Sequence, residues 1–315
     1  MTGAESHSAL PPFLGLTGNE ADAGFARFHL LPVPYDGTSL ERSGARHGPE
    51  AILRASRLLE RHDEELMMDP SRLGIATAPP ITAGVGGPEA LLERVHRTVA
   101  QMLSAGKTPI LLGGEHAITA AAGEAALAAA PRLTLLHIDA HADLRESWQG
   151  SIHSHACALR RLSERTHLVS VGLRSVAAEE IPLLSRDNVR AHLMHAVRRR
   201  PFSEAVTEIS EAVRRHVYIS IDLDALDPSI MPSVPRPEPG GLLWWELLAI
   251  LRAVIARSMV VGVDVVNLAP VAGLEAPNRL GARLVQKIIG YIAKCQAFWR
   301  PGGGADDAPT VPVSR

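Results

Sequence analysis

The sequence predicts an α/β protein in which helices cover both faces of a central, mostly parallel sheet. Apolar runs rich in β-formers alternate along the chain with segments of helical period. The apolar runs are nearly continuous, which is typical of strands buried on both faces. With 315 residues, 46% of them hydrophobic, the chain can form one large core. We therefore expect one doubly wound domain.

The elements follow in a regular order. The helix predicted over 48–62 has Pro49 in its first turn, and the helix over 88–106 ends at Gly106, both common at these positions. The other predicted helices cover 116–130, 201–215, 244–256 and 279–299. The predicted strands cover 26–35, 108–114, 132–141, 167–174, 216–226 and 259–268.

The two ends of the chain differ in composition from the rest. Both are rich in Gly, Pro and Ser, which is typical of mobile tails. We expect a flexible N-terminal tail over 1–22, a single domain over 23–300 and a disordered C-terminal tail over 301–315.

Charge and composition argue against several classes of partner. The formal net charge is −2, and basic residues are not interleaved with aromatic ones, so we expect no nucleic-acid partner. A signal peptide and an apolar stretch of about 18 residues are both missing, so we expect no membrane partner. The two cysteines, Cys157 and Cys295, are too few for a disulfide framework and fit a reducing compartment. The expected location is the cytoplasm.

One buried-type strand ends in side chains that can bind metals. In "LLHIDAHADLR", Asp139, His141 and Asp143 occupy alternate positions, so in an extended segment they face the same side. Ligand sites of open parallel sheets lie beyond the carboxyl ends of the strands. We expect these three side chains to converge on one cavity.

Two further strands end in the same way, with His116 after "ILLGGE" and with Asp222 and Asp224 in "YISIDLDALDP". Four carboxylates and two imidazoles would repel one another as a bare cluster, whereas divalent cations would neutralise them. Mixed oxygen and nitrogen ligands suit Mn²⁺, with Ni²⁺, Co²⁺, Fe²⁺ or Zn²⁺ as alternatives. Six ligands exceed the needs of one ion and favour two. The predicted ligands are His116, Asp139, His141, Asp143, Asp222 and Asp224.

Neighbouring polar residues are expected to have other roles. His137 lies deeper in its strand and is interpreted as a packed, hydrogen-bonded histidine. Asp227 precedes Pro228 and is expected to cap a turn. Glu115, beside His116, is a candidate to hydrogen-bond a metal ligand without binding the metal itself.

Together, "GGEHAIT", "DAHADLR", "SHACALRR" and "SIDLDALDPS…PEPGGL" resemble motifs of the ureohydrolase (arginase/agmatinase) family, closest to its bacterial and archaeal agmatinases. The resemblance is collinear over about 26–292. It implies a three-layer α/β/α, arginase-like fold, a binuclear Mn²⁺ centre and a homo-oligomer, trimeric or hexameric. One metal would then be held by His116, Asp139, Asp143 and Asp222, and the other by Asp139, His141, Asp222 and Asp224.

The resemblance also implies an activity. A metal-bridging hydroxide would attack the central carbon of an agmatine-like guanidino compound, releasing urea and an amine. Asp143 would transfer the proton to the departing amine, and His155, in "SHACALRR", would shuttle protons. His153 has no counterpart in the family and is interpreted as a loop residue.

One position departs from the family pattern. Asn267, in "VVGVDVVNLAP", stands where the family has a glutamate that pairs with the substrate guanidinium. A neutral amide removes the charge-assisted part of that bond. Glu275, in "AGLEAPN", could supply the carboxylate, or it could be a solvated loop residue. The alternatives are a different amidine, amide or guanidine substrate, or a non-catalytic paralogue.

Overall fold

The computed structural model of the protein describes residues 10–38, 43–84, 86–298 and 300–301. Eight strands and eight α-helices are found in these ranges. The strands are β1 (Phe28–Val33), β2 (Ile75–Thr77), β3 (Thr108–Gly113), β4 (Leu133–Ile138), β5 (His167–Leu173), β6 (Val189–Leu193), β7 (His216–Asp222) and β8 (Met259–Val266). The helices are α1 (Gly48–Ser56), α2 (Gly87–Ser104), α3 (Ile118–Ala129), α4 (Ile181–Leu184), α5 (Met194–Val197), α6 (Phe202–Ala212), α7 (Trp244–Ile255) and α8 (Ala276–Cys295).

All eight strands pair in parallel in one sheet, in the order β2-β1-β3-β8-β7-β4-β5-β6. This confirms the predicted parallel α/β fold. The four central strands, β3, β8, β7 and β4, are neighbours although they come from distant parts of the chain. Their carboxyl ends therefore meet along one short stretch of the sheet edge, where chemistry is expected in such folds.

The core lies in two layers, one on each face of the sheet. Within β3, Ile110 and Leu112 pack in the layer that contains the buried faces of α1, α6, α7 and α8, whereas Leu111 packs with α2 and α3. This alternation follows from the period of two along a strand. It explains why the strands are apolar at almost every position, because both of their faces are covered.

The two strands that the sequence analysis missed, β2 and β6, are the edges of the sheet. Strand β2 has three residues, too few to show a period, and β6 contains the polar residues Arg190 and His192. The short helices α4 and α5, of four residues each, were also missed. The helix expected over 48–62 is shorter than predicted and ends at Ser56.

The N-terminal segment is packed where a flexible tail was expected. Phe13 is fully buried, and its backbone N–H donates to Thr77 Oγ1 at 3.0 Å. The backbone N–H of Leu14 donates to Ser56 Oγ at 2.9 Å. A tail boundary at residue 22 does not match this packing, because apolar side chains between the prolines and glycines reach the core. Residues 1–9 and 302–315 lie outside the described residues.

Candidate metal centre

The predicted ligands arrive from three of the four central strands. His116 follows β3, Asp139 follows β4, and Asp222 is the last residue of β7. Strands β4 and β7 pair directly, with Ile138 opposite Ile221, so Asp139 and Asp222 emerge side by side. Gly114 is required at the end of β3, because a Cβ there would lie 1.9 Å from the carbonyl oxygen of Tyr35. This close approach brings the end of β1 against the segment that carries His116.

The first group of ligands surrounds the imidazole of His116, which is fully buried. Its Nδ1 lies 2.9 Å from Asp139 Oδ2 and 3.0 Å from Asp143 Oδ2. Asp222 Oδ2 is slightly farther, at 3.5 Å. Asp143 adopts a positive φ of 51°, a strained conformation of the kind that clusters at functional sites. The backbone is thus bent at the residue that turns its carboxylate towards His116.

The second group surrounds His141. Its Nδ1 lies 3.0 Å from Asp224 Oδ2 and 3.4 Å from Asp139 Oδ1. Asp139 therefore presents one oxygen to each group. The backbone N–H of Asp224 donates to Asp222 Oδ1 at 2.8 Å, which fixes these two carboxylates relative to each other. The predicted ligands are thus brought together as two adjacent groups with a shared carboxylate.

The electrostatics of the cluster show that it lacks positive charge. Burial and the charges of Asp224 and Asp139 raise the pKa of Asp222 well above its ordinary value. Although burial opposes it, the carboxylates of Asp224 and Asp139 raise the pKa of His141 to about 12. In the same way, Asp139 and Asp143 raise the pKa of His116 well above its ordinary value despite burial. The imidazoles attract protons because four carboxylates share a buried space.

This arrangement fits divalent cations. The buried Nδ1 of His116 makes no hydrogen bond within the described part of the chain, although it faces two carboxylates. A cation between these atoms would use the nitrogen lone pair and neutralise the carboxylates, replacing the protons that the imidazoles otherwise hold. The donors are carboxylate oxygens and imidazole nitrogens without thiolates, a set that suits Mn²⁺ and similar ions.

His137 behaves as interpreted from the sequence. Its Nε2 lies 2.9 Å from Asp139 Oδ2, and its Nδ1 lies 3.2 Å from Ser170 Oγ. Both ring nitrogens thus have partners, and the imidazole is fully buried. It is close enough to count geometrically with the ligands of the first group. Its contacts are those of a residue that orients Asp139.

A cavity of about 240 Å³ opens beside the two groups. It is lined by four of the predicted ligands together with His155 and Asn267. Glu275 is not among its lining residues. It lies exposed immediately before α8, where its carboxylate accepts a hydrogen bond from Asn278 Nδ2 at 3.0 Å. The structure therefore does not support Glu275 as the substrate carboxylate, because it is engaged at the helix start and stays outside the cavity.

Comparison with known proteins identifies the family. Residues 26–290 match the model of the Arginase family. The chain belongs to the arginase family. As a member of this family, the chain is a hydrolase that acts on carbon–nitrogen bonds in linear amidines.

Curated relatives of this arginase-family chain come from bacteria and archaea. It is 41% identical over 287 residues to an N(1)-aminopropylagmatine ureohydrolase of Thermus thermophilus, covering 90% of the chain and 97% of the relative. It is 32% identical over 279 residues to the agmatinase of Pyrococcus horikoshii, covering 85% and 93%. The matches span nearly the whole of each relative.

Solved structures show the same architecture. The agmatine ureohydrolase of Thermoplasma volcanium superposes with a TM-score of 0.81 at 29% identity, covering 92% of this chain and 97% of that one. The proclavaminate amidino hydrolase of Streptomyces clavuligerus gives 0.82 at 25% identity, covering 92% and 99%. The Trypanosoma cruzi formiminoglutamase with Mn²⁺ gives 0.79 at 23% identity, covering 90% and 98%, which shows the shared fold alone.

In this arginase-family chain, His155 lines the cavity from the start of a short 3-10 helix, His155–Cys157, that lies between β4 and β5. Its backbone N–H donates to Thr38 Oγ1 at 3.1 Å, and its Nδ1 lies 3.2 Å from the same oxygen. The Thr38 hydroxyl in turn donates to Glu115 Oε1 at 2.6 Å. Glu115 therefore supports the loop of His155 through Thr38. No sequence signal pointed to Thr38, because it is distant in the chain and belongs to no motif.

Other lining residues also escaped sequence reasoning. Arg145 and Arg236 line the cavity, and the guanidinium of Arg145 lies 4.4 Å from the centre of the Trp148 ring. Glu180 is buried, and its carboxylate accepts hydrogen bonds from the backbone N–H groups of Leu144 and Ala177 at 2.8 and 2.9 Å. Burial raises the pKa of Glu180. These hydrogen bonds of Glu180 fix the backbone that follows Asp143.

Proposed function

We propose that the chain is a metal-dependent ureohydrolase that hydrolyses the guanidino group of an agmatine-like compound, releasing urea and an amine. The observation that carries the proposal is the buried pair of ligand groups sharing Asp139, with a cavity of about 240 Å³ beside them. Relatives across most of the chain are named for agmatine and N(1)-aminopropylagmatine. A linear guanidino compound with an amine at its far end is the substrate class that this similarity supports.

The six predicted ligands would hold two divalent ions. Mn²⁺ is the ion we propose, because the donor set suits it, with Ni²⁺ as the alternative. When bound, two such ions would lower the pKa of a water molecule and so supply the nucleophile for attack on the guanidinium carbon. The first ion would be held by His116, Asp139, Asp143 and Asp222. The second would be held by Asp139, His141 and Asp224, and also by Asp222, whose Oδ1 accepts a hydrogen bond from the backbone N–H of Asp224.

Two residues that line the cavity are proposed to transfer protons. Asp143 lines the cavity and, as a carboxylate, can take the proton that the nucleophile loses and deliver it to the departing amine. His155 also lines the cavity, and burial lowers its pKa, so it is neutral at pH 7 and can accept a proton. Held by Thr38, it can pass that proton between the interior and solvent.

A second candidate function is favoured by Asn267. This residue lines the cavity, and its Nδ2 already donates a hydrogen bond to Asp222 Oδ2. An amide in this place offers a guanidinium no negative charge. A less basic amidine or amide substrate is therefore the alternative to agmatine hydrolysis.

Urea release tests the proposal. The purified protein, loaded with Mn²⁺ or Ni²⁺, would be assayed with agmatine, N(1)-aminopropylagmatine, 4-guanidinobutyrate, arginine and formimidoylglutamate. We expect urea from one or both of the first two compounds. Formamide and glutamate released from formimidoylglutamate, without urea from the other compounds, would favour an amidine substrate, and no product from any of the five would contradict the proposal.

Matched variants distinguish a specific effect on the metal site from a general loss of structure. Asp224→Asn removes a carboxylate of the second ligand group and is expected to lower urea release by at least about 100-fold, as loss of a group needed for catalysis does. Asp187→Asn changes an exposed aspartate on the loop before β6 and is expected to retain full activity. Equal activities of the two variants would contradict the placement of the site.

A further inference from the structure

A second buried carboxylate lies behind the metal ligands. Asp264, in the middle of β8, is fully buried and is not one of the predicted ligands. Its Oδ1 accepts a hydrogen bond from Ser220 Oγ at 2.7 Å. Its Oδ2 accepts from Tyr218 Oη at 2.8 Å and from Thr119 Oγ1 at 2.9 Å. Three hydroxyl donors surround the two oxygens, which compensates the cost of burying the charge.

Ser220 connects this carboxylate to the metal centre. Ser220 lies on β7 directly opposite Asp264 on β8. Its Oγ is 2.8 Å from Nε2 of His116, the ring nitrogen that faces away from the ligand cluster. All three side chains are fully buried. The chain of contacts therefore runs from Asp264 through Ser220 to a predicted metal ligand without access to water.

The number of protons determines the direction of these hydrogen bonds. A carboxylate only accepts hydrogen bonds, so Ser220 uses its single proton to donate to Asp264. The hydroxyl oxygen can then only accept from His116, which requires a hydrogen on Nε2. In the neutral imidazole the lone pair is consequently on Nδ1, the nitrogen that lies 2.9 and 3.0 Å from Asp139 and Asp143.

We propose that Asp264, acting through Ser220, is a positioning residue that fixes His116 with its hydrogen on Nε2, so that Nδ1 is the atom that binds the first metal. The inference rests on the metal centre of the proposed function and goes beyond its ligand set. Partners that hold the second nitrogen of a metal-binding histidine typically change metal affinity about 10- to 100-fold when they are removed.

Calorimetric titration of the metal-free protein with Mn²⁺ tests this Asp264–Ser220–His116 relay. For Ser220→Ala we expect the affinity of one of the two sites to fall about 10- to 100-fold while the other site is unchanged. Ser220→Thr keeps a hydroxyl and is expected to restore much of that affinity. The control is Tyr218→Phe, which removes a donor to Asp264 without touching Ser220 and is expected to change neither site more than about threefold. Two wild-type sites in Ser220→Ala, or equal losses in Ser220→Ala and Tyr218→Phe, would overturn the proposal.

A measurement on the wild-type protein tests the proposal even if the variants fail to fold. In the Zn²⁺-loaded protein, ¹⁵N–¹H correlation spectra of the histidine rings report which nitrogen carries hydrogen. We expect His116 to be protonated on Nε2 and metal-bound through Nδ1, and the opposite assignment would overturn the relay. Two-site binding without urea release from any substrate would count against the hydrolase function and leave the relay supported.

Discussion

The side-chain amide of Asn267 donates a hydrogen bond to Asp222, one of the carboxylates expected to hold both metals. Asn267 follows β8, and its φ of 67° lies in the left-handed region, which asparagine tolerates better than most residues. Its backbone N–H donates to the carbonyl oxygen of Gly114 at 2.7 Å. The backbone hydrogen bond thus fixes Asn267, and its side-chain amide orients the carboxylate of Asp222. Asn267 also lines the cavity.

Substitution of Asn267 tests its effect on substrate binding. We expect Asn267→Glu to lower the KM for agmatine about fivefold, because a charge-assisted hydrogen bond to the guanidinium is about 1 kcal/mol stronger than a neutral one. Steady-state urea release measures this change. The control, Asn267→Gln, has the same length without the charge and should not lower KM. An unchanged KM in Asn267→Glu would show that position 267 does not contact the guanidinium.

Replacement of His155 tests the proton shuttle. His155→Asn is expected to lower kcat by about 100-fold or more with a smaller change in KM, since a positioned acid–base group contributes about 10²- to 10⁴-fold. Added imidazole should restore part of the rate. His153→Asn is the matched control, because His153 lies two residues away and outside the cavity lining. Similar losses in both variants would indicate a disturbed loop instead of a missing shuttle.

A buried ion-pair cluster far from the cavity is expected to contribute to stability. Lys287 on α8 is 2% exposed, and its Nζ lies 3.0 Å from Asp63 Oδ1 and 3.1 Å from Glu65 Oε2. Lys287→Met leaves the buried Asp63 without its cation, while Glu65 keeps Arg252, and should lower the free energy of unfolding by about 3 kcal/mol. Urea denaturation measures the loss. Lys294→Met, at an exposed position of the same helix, should change stability by less than about 0.5 kcal/mol.

Acid is expected to destabilise the protein partly through His167. Burial, and to a lesser degree the charge of Arg214, lowers the pKa of His167, whose Nε2 lies 3.0 Å from the carbonyl oxygen of Ala212. The unfolded chain therefore binds a proton more readily than the folded one. The free energy of unfolding must fall as the pH drops below about 6.5, the ordinary histidine value, until the folded pKa is reached.

Urea denaturation at pH 7.5 and pH 5.5 checks this dependence. His167→Gln cannot take up a proton and should lose less stability between the two pH values than the wild-type protein does. His96→Gln, at an exposed position on α2, is expected to follow the wild type. If His167→Gln also shows the wild-type slope, other groups are responsible for the acid sensitivity.

The sequence by itself predicted the parallel α/β fold and singled out the six residues proposed as metal ligands. Both follow from local patterns, since continuous apolar runs indicate strands covered on two faces, and alternate positions such as Asp139 and His141 must share one side of an extended segment. The edge strands β2 and β6 and the packing of Phe13 were not predicted, because short or isolated apolar residues carry no period. Their structure depends on partners that are distant in the chain.

The tertiary structure alone decided which residues meet at the site. The order β3-β8-β7-β4 places Asn267 against Asp222 and Ser220 opposite Asp264, and neither neighbour can be deduced from spacing along the chain. The same packing holds Glu275 at the start of α8, outside the cavity. The physical reason is that sequence periodicity shows only which face of a segment is buried. Which other segments cover that face is decided when the whole core packs.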